Sequence, residues 1–281
     1  MSITPLDPAM ADRPRFALAT SDAYQGVLDA FLRAGWQLDR LFVSPRDWMY
    51  DNKQVIARAL DLGATVQHSP ASRLDLAELG RRGCSALVVA TYQWKIPDWR
   101  DDLKYAVNFH PSPLPEGRGP YPMVRAILEH RSSWAVTCNR IDEKFDQGDI
   151  LDAEPFPLDP HDGHESLRLK TQMAAARLAE RVAHGLEPLW QGAVPQEGGS
   201  YWPRWTEQER CIDFAQPVDA IMRRIRACGA PRHGGACARP GLGRRGGRRP
   251  RRRYRMELLG SGRDYLEHPA LSRIGAAQAA A

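Results

Sequence analysis

The chain has 281 residues, 43% of them hydrophobic and 26% charged, with a formal net charge of +5. A chain of that length and balance can bury one large core with a small extension, and its composition excludes a fibrous, disulfide-dense or wholly disordered protein. No apolar run approaches the roughly 18 residues of a membrane span, and no apolar leader follows Met1, so no membrane association is expected.

Five scattered cysteines (Cys84, Cys138, Cys211, Cys228 and Cys237) with no CxxC spacing fit a reduced, cytoplasmic setting rather than a disulfide framework or a structural zinc site. The basic excess is local. Between Arg239 and Arg255 the chain reads RPGLGRRGGRRPRRRYR, and without that segment the body is close to neutral or slightly acidic.

In chain order, apolar runs predict strands at Arg15–Thr20, Arg40–Ser44, Ala64–His68, Ala86–Ala90, Tyr105–His110, Trp134–Ile141 and Ile150–Phe156. Helical periodicity fills the gaps at Ala23–Ala34, Asn52–Leu62, Arg73–Arg82 and Met123–His130. A longer helix follows from Glu165 to His184, with Asp162 as its expected N-cap and Glu165 completing a capping box. Alternating strands and helices of this kind predict an α/β fold, a mostly parallel sheet with helices on both faces. Residues 185–204 read as a connector, and Val218–Cys228 as a last amphipathic helix.

The expected organisation is a catalytic domain over 12–200, a linker and the start of a small C-terminal subdomain over 201–228, and an atypical basic tail over 229–281. Gly229–Arg253 shows no periodicity and is expected to be disordered. Its Arg/Gly/Pro composition suits a polyanion-binding tail, and also GC-rich DNA read in a shifted frame.

The chemistry concentrates in two segments. Asn108–Phe109–His110 closes a strand and opens the loop PSPLPEGRGPYP. Residues i and i+2 project from one face, so the amide and the imidazole point together beyond the carboxyl end of a parallel strand, where open α/β sheets place ligands. After the next strand, IDEKFDQGDIL puts Asp142, Asp146 and Asp149 on a turn, with Gly148 free to take a positive φ. Such an amide and imidazole form an oxyanion hole and a proton donor, and a carboxylate beside them orients the imidazole. Taken singly, the same residues fit a histidine satisfied at a strand end and an aspartate capping a turn. The HDGH run from His161 to His164 sits at a helix start and reads as capping rather than as a metal site. Trp94, Trp99, Trp190, Trp202 and Trp205 fit packing better than ligand stacking.

The pattern Asn108, His110, Ser112, Leu114, Pro115, Arg118, Gly119, then Asp146, Gly148 and Asp149, resembles the catalytic domain of the 10-formyltetrahydrofolate-dependent formyltransferases. That family includes methionyl-tRNA, glycinamide ribonucleotide and sugar N-formyltransferases. The resemblance runs from about Arg15 to Cys228 and implies a Rossmann-like fold with a truncated or atypical C-terminal extension. It implies 10-formyltetrahydrofolate as formyl donor, no metal, and a catalytic trio of Asn108, His110 and Asp146. It further implies a pterin pocket lined by Lys95, Ile96 and Pro97 and by Asp142, Glu143, Lys144, Phe145 and Asp146. Ser112 and Arg118 are candidates for substrate binding, against a loop cap for Ser112 and a pairing with Glu116 for Arg118. The expected acceptor is a small primary amine, such as an amino sugar nucleotide or an amino acid, because the stretch after the second strand is short and not conspicuously basic. The alternatives are methionyl-tRNA and a catalytically weak folate- or RNA-binding relative. The order of assembly is left open, a homodimer included.

Overall fold

The computed structural model describes residues 13–44, 51–204, 206, 212–228, 236–240 and 253–258. Seven strands, β1 (Arg15–Ala19), β2 (Gln37–Phe42), β3 (Thr65–Gln67), β4 (Cys84–Val89), β5 (Tyr105–His110), β6 (Ser133–Arg140) and β7 (Ile150–Pro157), form one sheet in the order β3-β2-β1-β4-β5-β6-β7. The first five are parallel, and β6 runs antiparallel to both of its neighbours, β5 and β7. The chain reverses its direction of winding between β1 and β4, which opens a crevice beyond their carboxyl ends.

The central strands are continuous apolar runs because both of their faces are covered. Phe16, Leu18, Val88, Val107 and Phe109 belong to a core shared with α1 (Gln25–Arg33), α4 (Pro122–Leu128) and α5 (His164–Gln191). Ala17, Leu87, Val89 and Ala106 face the opposite core, beneath Leu76 and Leu79 of α3 (Arg73–Arg81). The remaining helices are α2 (Lys53–Asp61) and α6 (Val218–Cys228), and no helix among the described residues is long and apolar enough to cross a membrane.

Several expectations are corrected. β2 begins at Gln37 rather than Arg40, and its Asp39, fully buried at the side chain, is held by Arg15 and Arg82. α5 begins one residue later than Asp162 implies. Gly163 is the N-cap, its N–H is met by Ser166 Oγ at 3.0 Å, and Asp162 instead accepts from Ser166 and Lys170. α5 also runs on to Gln191 across a non-helical Gly185 and an internal Pro188, because Leu186 is buried and Leu189 and Trp190 pack against the core. One strand, β9 (Ala236–Pro240), occurs within the segment expected to be disordered, and a second, β10 (Arg253–Leu258), starts at its last residue; the two join β8 (Ile212–Asp213) in a small antiparallel sheet. The RYRMEL run of β10 alternates apolar and charged residues, a period-two signal masked by its arginines. Cys211, Trp205 and most of the tail lie outside the described residues.

Three partly buried carboxylates sit below the usual range. For Asp75, Glu154 and Asp162 burial opposes ionisation, but hydrogen bonds from Ser72, from Arg177 and Arg181, and from Lys170 and Ser166 respectively outweigh it. A depressed carboxyl pKa stabilises the fold at every pH above its unfolded value, near 4, and that stability goes as pH falls through the folded value. The urea midpoint is therefore expected to be level from pH 8 to about 5 and to decline below about 4. A steady decline that starts at neutral pH would contradict this account.

Candidate active site

A cavity of about 640 Å³ opens at the crevice. The ends of three strands floor it: Thr20 and Ser21 after β1, Thr91 after β4, and Asn108 to Pro111 at the end of β5. Residues 139–146 and Gly119–Val124 form further walls.

Asn108 and His110 do share one face, and Asp146 meets both. Its Oδ1 lies 3.3 Å from His110 Nδ1 and 3.4 Å from Asn108 Nδ2, while its Oδ2 accepts the Gly119 N–H at 3.0 Å. The imidazole is nearly buried, and its Nε2 is 2.9 Å from the Gly117 carbonyl. A carbonyl oxygen can only accept, so Nε2 carries a proton and Nδ1 is the ring atom that shares one with Asp146. Asn108 is held from behind by Asn139, directly across the β5–β6 ladder, whose Oδ1 accepts from Nδ2 at 3.3 Å. Both of the Asn108 bonds are long, which leaves its N–H groups free to tighten on a ligand oxygen.

The backbone around the carboxylate is built for this placement. Asp146 has φ of 59°, a left-handed conformation that aspartate tolerates better than most residues. The positive φ expected at Gly148 is thus found at Asp146 instead. Gly148 is needed for a different reason, since a Cβ there would lie 2.1 Å from the Arg140 carbonyl oxygen. From outside, Gln196 Nε2 donates to the carbonyls of Asp146 and Gly148 at 2.9 and 2.7 Å. Of the other two aspartates on the turn, Asp149 pairs with Arg140 and Asp142 with Arg100.

Lys95, Ile96, Asp142, Glu143, Lys144, Phe145 and Asp146 all line the cavity, whereas Pro97 does not. The two walls are stitched together by the Arg100–Asp142 pair at 2.6 Å and by Trp99 Nε1 donating to the Ile141 carbonyl at 3.2 Å.

Ser112 and Arg118 are absent from the cavity wall. Ser112 is fully buried and donates to the Glu116 carbonyl at 2.8 Å, so it caps its loop. Arg118 donates to the Gly198 carbonyl at 2.6 Å, and Glu116 pairs with Arg131 rather than with Arg118. Trp99 and Trp190 pack edge to face, Trp202 stacks on Trp134, and Trp94 alone of the described candidates lines the cavity.

The sequence reading missed the strap formed by residues 198–204. Ser200 Oγ accepts the Gly117 N–H at 2.9 Å, Arg118 N–H donates to the Ser200 carbonyl at 3.0 Å, and Trp202 N–H to the Arg118 carbonyl at 2.7 Å. Gly119, at φ of 113°, gives the strap room, because a Cβ there would lie 2.3 Å from the Trp202 carbonyl oxygen. The strap delivers Tyr201 and Arg204 to the cavity, where the Arg204 guanidinium lies 5.8 Å from the centre of the Tyr121 ring. Buried His164 and Tyr24 also line the cavity. The HDGH run thus contributes one histidine to the cavity wall.

Residues 87–182, which include β5, the loop after it and the Asp146 turn, match the family model described as formyl transferase. A methionyl-tRNA formyltransferase of Variovorax paradoxus is 30% identical over 244 residues, covering 80% of this chain and 74% of that protein. The chain belongs to the formyltransferase family. The methionyl-tRNA formyltransferase of Coprothermobacter proteolyticus is 36% identical over 149 residues, and that match spans about half of each chain, 52% of this one and 49% of the relative. Among solved structures, the N-formyltransferase from Helicobacter canadensis, in complex with folinic acid and dTDP-3-aminofucose, superposes with a TM-score of 0.58 at 17% identity, covering 76% of this chain and 80% of that one. At that identity the formyltransferases share a fold, and the Asn108–His110–Asp146 cluster stands on the geometry described above.

Proposed function

We propose that this formyltransferase moves a formyl group from 10-formyltetrahydrofolate to the primary amine of an acceptor. One observation carries the reading: a single carboxylate, Asp146, lies within reach of an amide donor and an imidazole on the floor of a cavity open to ligands. Asn108 Nδ2 donates to the formyl oxygen as charge builds on it, and protonated His110, its two N–H groups held by Gly117 and Asp146, stabilises that charge electrostatically from beside it. The attacking nitrogen bonds to the formyl carbon, the bond from that carbon to N10 of the folate breaks, and the proton lost by the amine passes through Asp146 to N10. The pterin lies between the Lys95–Ile96 wall and the Asp142–Phe145 wall, and the folinic acid bound to the Helicobacter canadensis neighbour supports a folate donor.

The acceptor enters from the side of Tyr24, Tyr121, His164, Tyr201 and Arg204. These residues offer aromatic faces, two basic groups and several hydroxyls, a chemistry suited to a small amine on a polar carrier, such as an amino sugar nucleotide or an amino acid. A second reading, methionyl-tRNA as acceptor, is favoured by the identities of 30 and 36% to methionyl-tRNA formyltransferases.

The test is release of tetrahydrofolate by the full chain supplied with 10-formyltetrahydrofolate and, in turn, amino sugar nucleotides, free amino acids and methionyl-tRNA. Acceptor-dependent release with one class is the expected result and identifies the acceptor. Donor binding without release in any arm would replace this reading with that of a folate-binding relative.

A further inference from the structure

A second cavity, of about 180 Å³, lies at the far end of α4 from the active site. Pro122, at the start of α4, lines the first cavity, and Ala126 and Ile127, near its end, line the second. Met123 and Val124 also line the first cavity, so the two linings approach within about 3 Å along the axis of this seven-residue helix. The lining is markedly basic: His130 and Arg131 after α4, and Arg223 and Arg226 from α6, against Asp159 and Asp162 from the segment before α5.

The two acids do not neutralise the α6 arginines. Asp162 is engaged by Lys170, by Ser166 and by the Asp159 N–H, and Asp159 caps its own turn through the His161 N–H. Arg131 is committed to Glu116 and Glu129. Arg223 and Arg226 are three residues apart on one helix face and both half-buried, and neither has an ion-pair partner among the described residues. The Nε of each is buried without a hydrogen-bond partner, and Arg226 makes one bond, to the Pro160 carbonyl at 3.2 Å. Each guanidinium has five N–H donors in a fixed fork that matches phosphate oxygens, and a half-buried one without a counter-ion carries an uncompensated desolvation cost.

We propose that this cavity is a phosphate-binding site, and that it holds a phosphate group of the acceptor at a distance from the reacting amine. The anion would lie between the Arg223 and Arg226 forks, with His130 at the rim. Its assignment to the acceptor rests on the transfer reading above; the anion site itself does not. Both a nucleotide-linked small molecule and an RNA present the same phosphate chemistry.

The probe is inorganic phosphate, titrated into the full chain and followed by phosphorus NMR. Saturable binding of one phosphate is expected, weakened about tenfold in Arg223→Gln and in Arg226→Gln. It should be unchanged in Arg58→Gln, which removes an exposed cation from α2. No saturable binding, or an equal loss in all three variants, overturns the site. A nucleoside diphosphate and a short RNA are then competed against bound phosphate. Displacement by the first at lower concentration assigns a nucleotide-linked acceptor, and by the second a polynucleotide. Displacement by neither overturns the assignment to the acceptor. Phosphate binding is read without turnover, so failure of this site and failure of the proposed reaction appear in separate measurements.

Discussion

An Asp146→Asn variant is expected to keep the fold and lose about 10²- to 10⁴-fold in kcat. Asparagine has the same shape and also tolerates the left-handed backbone at this position, where φ is 59°. Its amide oxygen can still accept the Gly119 N–H, a bond of 3.0 Å in the native protein. Its NH₂ group would then face Asn108 Nδ2 and His110 Nδ1, donor against donor, where the native Oδ1 lies 3.4 and 3.3 Å away. With Nε2 fixed as a donor to Gly117, His110 could satisfy the new amide only by leaving Nδ1 bare. The imidazolium would lose its counter-charge, and the attacking amine its proton acceptor. KM for the formyl donor should change little, because the Lys95–Ile96 and Asp142–Phe145 walls are untouched and asparagine keeps the volume of Asp146. Steady-state rates and circular dichroism check both halves, and a loss in kcat below tenfold would remove Asp146 from the chemistry.

Asn108→Ala is expected to cost about 10²- to 10³-fold in kcat, the usual effect of deleting one oxyanion donor. Among the described residues the Asn108 side chain bonds only to Asn139 and Asp146, at 3.3 and 3.4 Å, so little native stability rests on it. Its worth should appear as charge develops on the formyl oxygen, and so in kcat rather than in KM. Equal rises in KM for donor and acceptor with kcat unchanged would mean that Asn108 binds ground states only. An Asn108→Asp variant sharpens the comparison. It keeps the volume but turns a carboxylate toward Asp146, so it should be at least as impaired as the alanine variant.

Much of the sheet was legible in the sequence because its central strands are buried on both faces. RFALA, CSALVV and YAVNFH are close to unbroken apolar runs, and only such runs survive between two layers of helices. The side-chain alternation of β5 likewise placed Asn108 and His110 on one face before any tertiary information. Features that depend on register or on distant chain were not legible. Asn139 faces Asn108 across a ladder whose register no local pattern reveals. α5 passes Gly185 and Pro188 because the residues beyond them are pulled into the core, a tertiary override of local propensity. Tyr201 and Arg204 lie in a stretch whose Gly and Pro content reads as a linker, and only its hydrogen bonds to residues 115–118 show otherwise. The roles of Ser112 and Arg118 went the same way. A conspicuous residue in a motif loop can serve the loop itself.

The clamp between residues 198–202 and the loop after β5 has a consequence for the order in which the molecule is completed. The sheet has all seven of its strands once the chain has reached Pro157. The Gly117 carbonyl that fixes the His110 ring belongs to a loop whose outer hydrogen bonds come from residues synthesised more than forty positions later. A chain that stops before residue 198 is therefore expected to lack the outer hold on the loop that anchors the imidazole.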